Sequence, residues 1–285
     1  MLNTWQFNLI LFYIFIVIYF QFYKLSVKHV KNDGAATILI QTIAGVSILA
    51  LAPLFPFIVP NKPSVLLLLV GACVFYAVTD RLQMTARKHL EVSAFSVISQ
   101  LSTVFVILYG LTVFNEPFSL VRIGGAALII AANAMIFYRP GKHSIVINKY
   151  SVMAILATVS FATAISIDIN IVKNFNLPIY ISLTLLIPAL LIAIGGRTTP
   201  KDSVAELKRG NPLLFVITGL AWSLAIFFSL RAYQFGKVNS IVTLQAVGVI
   251  LNVLAAYIFL KERDHPVQKI LAACLVIVGV LLTTL

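Results

Sequence analysis

The sequence predicts an all-α membrane protein of ten transmembrane helices, folded as two inverted five-helix repeats around a central cavity. Three observations predict it: an apolar composition gathered into span-length runs, a lopsided sorting of basic residues between connections, and a self-similarity at a fixed offset. The 285 residues are 60% hydrophobic and 11% charged, with a mean hydropathy of +1.01. Soluble domains run at roughly 45–50% apolar and 25% charged, so this chain cannot hide its apolar mass in a soluble core and belongs in a bilayer.

A helical span needs about 20 mostly apolar residues. Ten runs are read as spans: 5–23, 37–59, 64–86, 91–114, 119–138, 150–173, 178–195, 212–234, 238–260 and 266–285. They are continuous rather than alternating, which disfavours a β-barrel. The first run lacks a basic n-region and is followed by Lys24, Lys28 and Lys31 instead of a small-residue cleavage site, so it reads as a span and not as a signal peptide. Pro53 and Pro56 interrupt the outer end of the second run and Pro188 interrupts the seventh, which frees backbone groups and marks candidate kinks.

A net charge of +12 suggests nucleic acid, but in a membrane protein basic residues first report orientation. With ten spans, alternate connections share a side; one side holds fifteen Lys and Arg, the other only Lys62, Arg122, Lys173 and Lys237. The richer side is expected to be cytoplasmic, with both termini extracytoplasmic, in a plasma (inner) membrane, and nucleic acid is not an expected partner. Cys73 and Cys274 lie in apolar runs and read as packing residues. His29, His89, His143 and His265 show no metal-ligand spacing, so neither a metal nor a cofactor is expected. The absence of HExxH, GxSxG, a Cys/His pair and a P-loop argues against an enzyme and against ATP use.

An offset of 146 residues lays 86–134 over 232–280 without a gap, pairing Glu116 with Glu262, Val92 with Val238, and Ala126-Ala127 with Ala272-Ala273. In both copies a polar connection opens an apolar helix, an acidic residue closes it, and a small-residue helix follows. The repeats are placed at 1–145 and 146–285. Five spans per copy make the two copies enter the membrane in opposite directions, an arrangement that recurs in secondary transporters with a midplane site. Glu116 and Glu262 are expected near the interface, where each can be solvated, can cap the helix that follows it for about 0.3–1 kcal/mol, or can take part in gating.

Glu116 followed by "GGAALIIAANA" and Glu262 followed by "LAACLVIVGV" resemble the end of the EamA-type domain of the drug/metabolite transporter superfamily. "HLEVSAFSVISQLSTVFVILYGLTVFNEP" carries the likeness through the fourth span. Ile270 stands where that family usually has glycine, and the first span lacks its Trp-Gly-type opening. The resemblance implies a ten-helix basket whose central cavity exports or exchanges small metabolites such as amino acids. A lipid flippase or a non-transporting scaffold is the alternative. A proton or counter-substrate, and a homodimer, stay open as partners beside the lipid bilayer and the small-molecule substrate.

Charged groups within a span cost about 2.5–3.5 kcal/mol each even on a lenient scale, so those present carry information. They are Asp80, Arg81, Asp168 and Arg231. A carboxylate and a guanidinium bordering one cavity match the two ends of an amino acid, and one carboxylate can instead take up a proton. The structural alternative for Asp80 with Arg81 is a local pair or two separate interhelical ion pairs, because neighbours on a helix point about 100° apart. Tyr76 lies one turn before Asp80, a spacing suited to holding a cation. Span four carries a polar stripe of Ser93, Ser96, Gln100 and Thr103; span nine offers Gln245 and Asn252, span six Asn170, and span eight a mid-span Trp222. The candidate substrate-binding set is therefore Tyr76, Asp80, Arg81, Ser96, Gln100, Asp168, Asn170, Trp222, Gln245 and Asn252. The Gly/Ala faces of spans five and ten read as scaffold for close helix contact.

Overall fold

A backbone in lipid has to satisfy its own hydrogen bonds, and apolar runs therefore fold as helices. The computed structural model describes residues 4–58, 60–112, 119–139, 144–145, 147–236 and 238–285. Along these run α1 (Trp5–Ser26), α2 (Asp33–Leu49), α3 (Pro63–His89), α4 (Val92–Ser99), α5 (Leu101–Thr112) and α6 (Leu120–Phe137). A two-residue antiparallel pair, β1 (Tyr138–Arg139) with β2 (Ser144–Ile145), precedes α7 (Lys149–Ile171), α8 (Leu177–Gly196), α9 (Pro200–Arg209), α10 (Pro212–Phe235), α11 (Val238–Phe259) and α12 (Pro266–Thr283). Among the described residues eight helices are long and apolar enough to cross a membrane, and Val92–Val106 and Leu244–Phe259 are shorter apolar stretches. The chain is an integral membrane protein.

Local chemistry sets the starts. The side chains of Asn32, Ser119, Asn148, Asn176 and Asn211 each accept a first-turn N–H, and proline opens α3, α8, α10 and α12 where its missing donor costs nothing.

Three expectations need correction. The second run is helical only to Leu49: beyond it the chain makes a 3-10 turn at Ala52–Leu54 and leaves regular structure at Phe55, because Pro53 and Pro56 cannot donate to a helical ladder. The carbonyls thus freed meet the Asn176 side chain, whose Nδ2 lies 3.2, 3.1 and 3.0 Å from the oxygens of Ala52, Phe55 and Pro56. The fourth run breaks at Gln100. There the Ser99 and Ser102 hydroxyls donate to the carbonyls of Ser96 and Ser99, and Gln100 and Thr103 use tighter i−3 backbone bonds. The third correction is α9, a short polar helix opened by a reciprocal Thr199–Asp202 capping box; the Thr199 backbone N–H holds the Asp202 carboxyl below its usual range.

The helices pair across the chain. α1 packs along α10, α3 along α7, α2 along α8, and α6 along α12, while α2 also meets α10 and α3 also meets α8. Exchanging α1 for α7, α2 for α8, α3 for α10, and α6 for α12 turns this set of partners into itself. At the α6–α12 seam the backbones touch: a Cβ on Gly125 would lie 2.5 Å from the Gly279 carbonyl oxygen, and one on Gly279 would lie 2.8 Å from that of Gly125. Gly124, by contrast, faces open space. Gly125→Val is expected to destabilise the protein by about 1–3 kcal/mol through overpacking, whereas Gly124→Val leaves it within about 0.5 kcal/mol. Thermal unfolding of the two purified variants checks the contrast.

Candidate functional site

Polar residues on the inner helix faces line a cavity of about 880 Å3 among the described residues. On α3 the lining residues Tyr76, Asp80, Gln83 and Arg87 follow i, i+4, i+7 and i+11, one continuous stripe. Their counterparts at an offset of 146 residues are Trp222, Ile226, Ser229 and Tyr233 on α10, and all four line the same cavity. The lining positions correspond between the halves while the chemistry differs.

Eight of the ten candidates border this space: Tyr76, Asp80, Ser96, Gln100, Asp168, Trp222, Gln245 and Asn252. The other two do not. Arg81 is exposed and donates from Nη1 to Thr85 Oγ1 at 3.2 Å, because it points about 100° away from Asp80. Asn170 is exposed on α7 and turns its amide back to the Ser166 carbonyl at 2.8 Å. Ser93 of the predicted stripe is also diverted; its hydroxyl and backbone N–H both donate to Glu262.

Neither carboxylate adopts the ion-pair alternative among the described residues. Asp80, 4% exposed, accepts from Gln41 Nε2 at 2.5 Å and Gln83 Nε2 at 2.9 Å. Asp168, 5% exposed, accepts from the phenols of Tyr76 and Tyr180, each at 2.5 Å. Tyr76 therefore serves Asp168 rather than the Asp80 one turn along its own helix. Neither carboxylate has a basic group within ion-pairing distance among the described residues. An ionised carboxylate offers about four acceptor sites, so each keeps capacity for a ligand. Gln245 is held between Tyr233, which donates to its Oε1 at 2.7 Å, and Ser229, which accepts from its Nε2 at 2.8 Å. Arg231 stays out of the cavity, its guanidinium over the rings of Phe55 and Phe235 at 5.1 and 4.7 Å.

The cavity is blind at one end and reaches the surface at the other. Phe20, Gln41, Arg87, Phe95 and Asn252, all buried, form the blind end. The mouth lies among helix termini carrying Ser119, Arg122, Lys173, Gln234 and Thr284. Beneath the blind end, Lys24 Nζ binds the carbonyls of Arg87 and Lys88 at 3.0 Å each, closing the C-terminus of α3. Glu262 accepts the backbone N–H groups of Val92 and Ser93 at 2.7 and 3.1 Å, and Lys269 pairs with Glu91 at 2.7 Å. Glu262 thus caps α4 of the other half and not the helix that follows it, an electrostatic match that spacing along the chain cannot reveal. Glu116 lies outside the described residues.

Arg87, Gln41 and Tyr180 were absent from the sequence candidates. Arg87 stands one residue past the apolar run 64–86, and the helical spacing 76, 80, 83, 87 is the signal that puts it on the stripe.

Residues 3–138 match the model of the EamA-like transporter family. That segment, just under half of the chain, is similar to the EamA type of the drug/metabolite transporter superfamily, a likeness that supports a membrane transporter of small molecules. A chain of solved structure titled only "Crystal structure of protein" superposes with a TM-score of 0.57 at 15% identity, covering 97% of this chain and 95% of that chain. That likeness shows the fold alone. No curated protein matches the sequence.

Because both phenols share one carboxylate, Tyr76→Phe and Tyr180→Phe are expected to be non-additive in stability, with a coupling of about 0.5–3 kcal/mol. A double-mutant cycle on chemical or thermal unfolding of the purified protein measures it.

Proposed function

We propose that the protein is a secondary transporter that exports or exchanges small polar metabolites, amino acids and related compounds foremost, by alternating access of two inverted halves, 1–145 and 146–285. The observation that carries this reading is the cavity itself: a polar space between the halves, walled at corresponding positions of both repeats and holding two buried carboxylates that have no ion-pair partner among the described residues. The invariance of the helix pairing under exchange of halves supports the inverted repeat.

The mouth carries Arg122 and Lys173, which belong to the side poor in basic residues. The blind end sits above Lys24, Lys88 and Lys269 on the rich side. By the positive-inside rule the mouth faces away from the cytoplasm, the termini are extracytoplasmic, and the conformation is outward-open in a plasma (inner) membrane. Closing the mouth and opening the blind end requires the contacts of Glu262 with α4 and of Lys269 with Glu91 to part, since both join one half to the other.

The binding roles follow from capacity. Asp80 and Asp168 take cationic ends, Gln100, Gln245 and Asn252 supply amide groups, and Trp222 forms a wall. Arg81 and Asn170 are outside this set.

Counterflow of radiolabelled amino acids into proteoliposomes tests the proposal. Accumulation above empty liposomes is expected; Asp80→Asn should lower it about tenfold, the equivalent of 1.4 kcal/mol, while Arg81→Gln keeps it within about twofold. Movement of labelled lipid between leaflets with no movement of any solute would overturn it.

A further inference from the structure

Arg87 ends the polar stripe of α3 and is 8% exposed, yet among the described residues it has no carboxylate partner. Its guanidinium carbon lies 4.8, 4.4, 4.8 and 4.3 Å from the ring centroids of Tyr19, Phe20, Tyr23 and Phe95, and its Nε makes no hydrogen bond. Aromatic faces offset part of the desolvation of a buried guanidinium, but they leave its planar donor edge unused. That edge fits a carboxylate, which can accept two parallel N–H bonds.

A second observation comes from the other half of the chain. Trp222 stacks on Tyr19 with centroids 4.5 Å apart, so the indole and the guanidinium share one ring. Its Nε1–H is buried and has no acceptor. An indole N–H can only donate. Two buried, unused donors, one of them cationic, therefore flank Tyr19 on the lining of the blind end. Unused acceptors lie nearby on the same lining: Gln41 Oε1 has no donor, and its amide nitrogen orients Asp80. Asp80 sits two turns before Arg87 on one helix face, about 10 Å along the axis, and a helical arginine leans toward the N-terminus, which narrows that gap.

We propose that Arg87 and Trp222 form an anion subsite at the blind end that receives the carboxylate of the transported molecule, with Asp80 and Gln41 receiving its cationic end. The substrate then enters carboxylate first and is a small zwitterion or another carboxylate-bearing metabolite. This rests on the transport reading above, whose site it orients. A purely structural Arg87, stapling α1, α3 and α4 through the four rings, predicts no dependence on the ligand's acid group.

Calorimetric titration of the full-length protein in lipid nanodiscs with leucine, leucinamide and isopentylamine, and with the corresponding phenylalanine series, separates these. The free acid is expected to bind at least about tenfold more tightly than the amide or the amine, as a site built to hydrogen-bond a group rejects analogues lacking it. Arg87→Gln should reduce that preference to under about threefold while leaving the amine's own affinity within about twofold. Trp222→Phe keeps the stacked ring, removes only the N–H, and should reduce the preference in the same direction; it decides the matter if Arg87→Gln fails to fold. Equal binding of acid, amide and amine overturns the subsite while solute transport still stands, as does an unchanged preference in both variants. Failure of every compound to bind, with no solute counterflow, overturns the transport reading together with the subsite.

Discussion

Asp80 and Asp168 are carboxylates in helices that run through lipid, each only 4–5% exposed, so protein groups and not bulk solvent supply most of their partners. Two amides from α2 and α3 serve Asp80; two phenols from α3 and α8 serve Asp168. Each carboxylate thereby joins helices that apolar packing alone would leave free to slide, and the side chains that serve them face one another across a space. A buried polar group is costly without a partner, so the polar atoms that still lack one are informative. Those on Gln41, Arg87, Ser96, Trp222 and Asn252 belong to residues lining the cavity, while Gln21 and Asn133 carry others away from it.

The scaffold solves the opposite problem. At the α6–α12 seam Gly125 and Gly279 let two backbones touch, a contact that side chains would prevent. The seam is flanked by an apolar cluster of Ile129, Ala132, Ala272, Ala273 and Val276. Close apolar contact there and hydrogen-bonded contact around the cavity divide the molecule into a part that holds the halves together and a part that can receive a solute.

Much of the architecture was legible because lipid enforces a simple code: a continuous apolar run becomes a helix, and basic residues mark one side. The scheme failed where polar side chains act on the backbone. Serines at 99 and 102 break the fourth run at Gln100, Pro53 and Pro56 end the second early, and α9 is too polar to register as an apolar run. For the site, charged and amide residues inside runs led to five of the lining positions, since burying them in lipid without purpose is costly, and Tyr76, Ser96 and Trp222 came from helical spacing and a mid-span indole. Arg87 was missed because it stands one residue past the apolar run, and Glu262 was given the wrong helix because its partner is distant in sequence. Arg81 is charged and lies within a run like Asp80, but it points about 100° away on the helix, outside the cavity.

The central claim is a water-filled cavity walled by both halves and open on the face bearing Arg122 and Lys173. Accessibility of single cysteines to a membrane-impermeant maleimide tests it most directly, in protein carrying Cys73→Ala and Cys274→Ala. Thr103→Cys on α5 and Ser229→Cys on α10 are predicted to react from that face, whereas Leu67→Cys, on the outer surface of α3 at 74% exposure, stays unlabelled in the bilayer. Cavity positions as inert as Leu67→Cys would contradict the account.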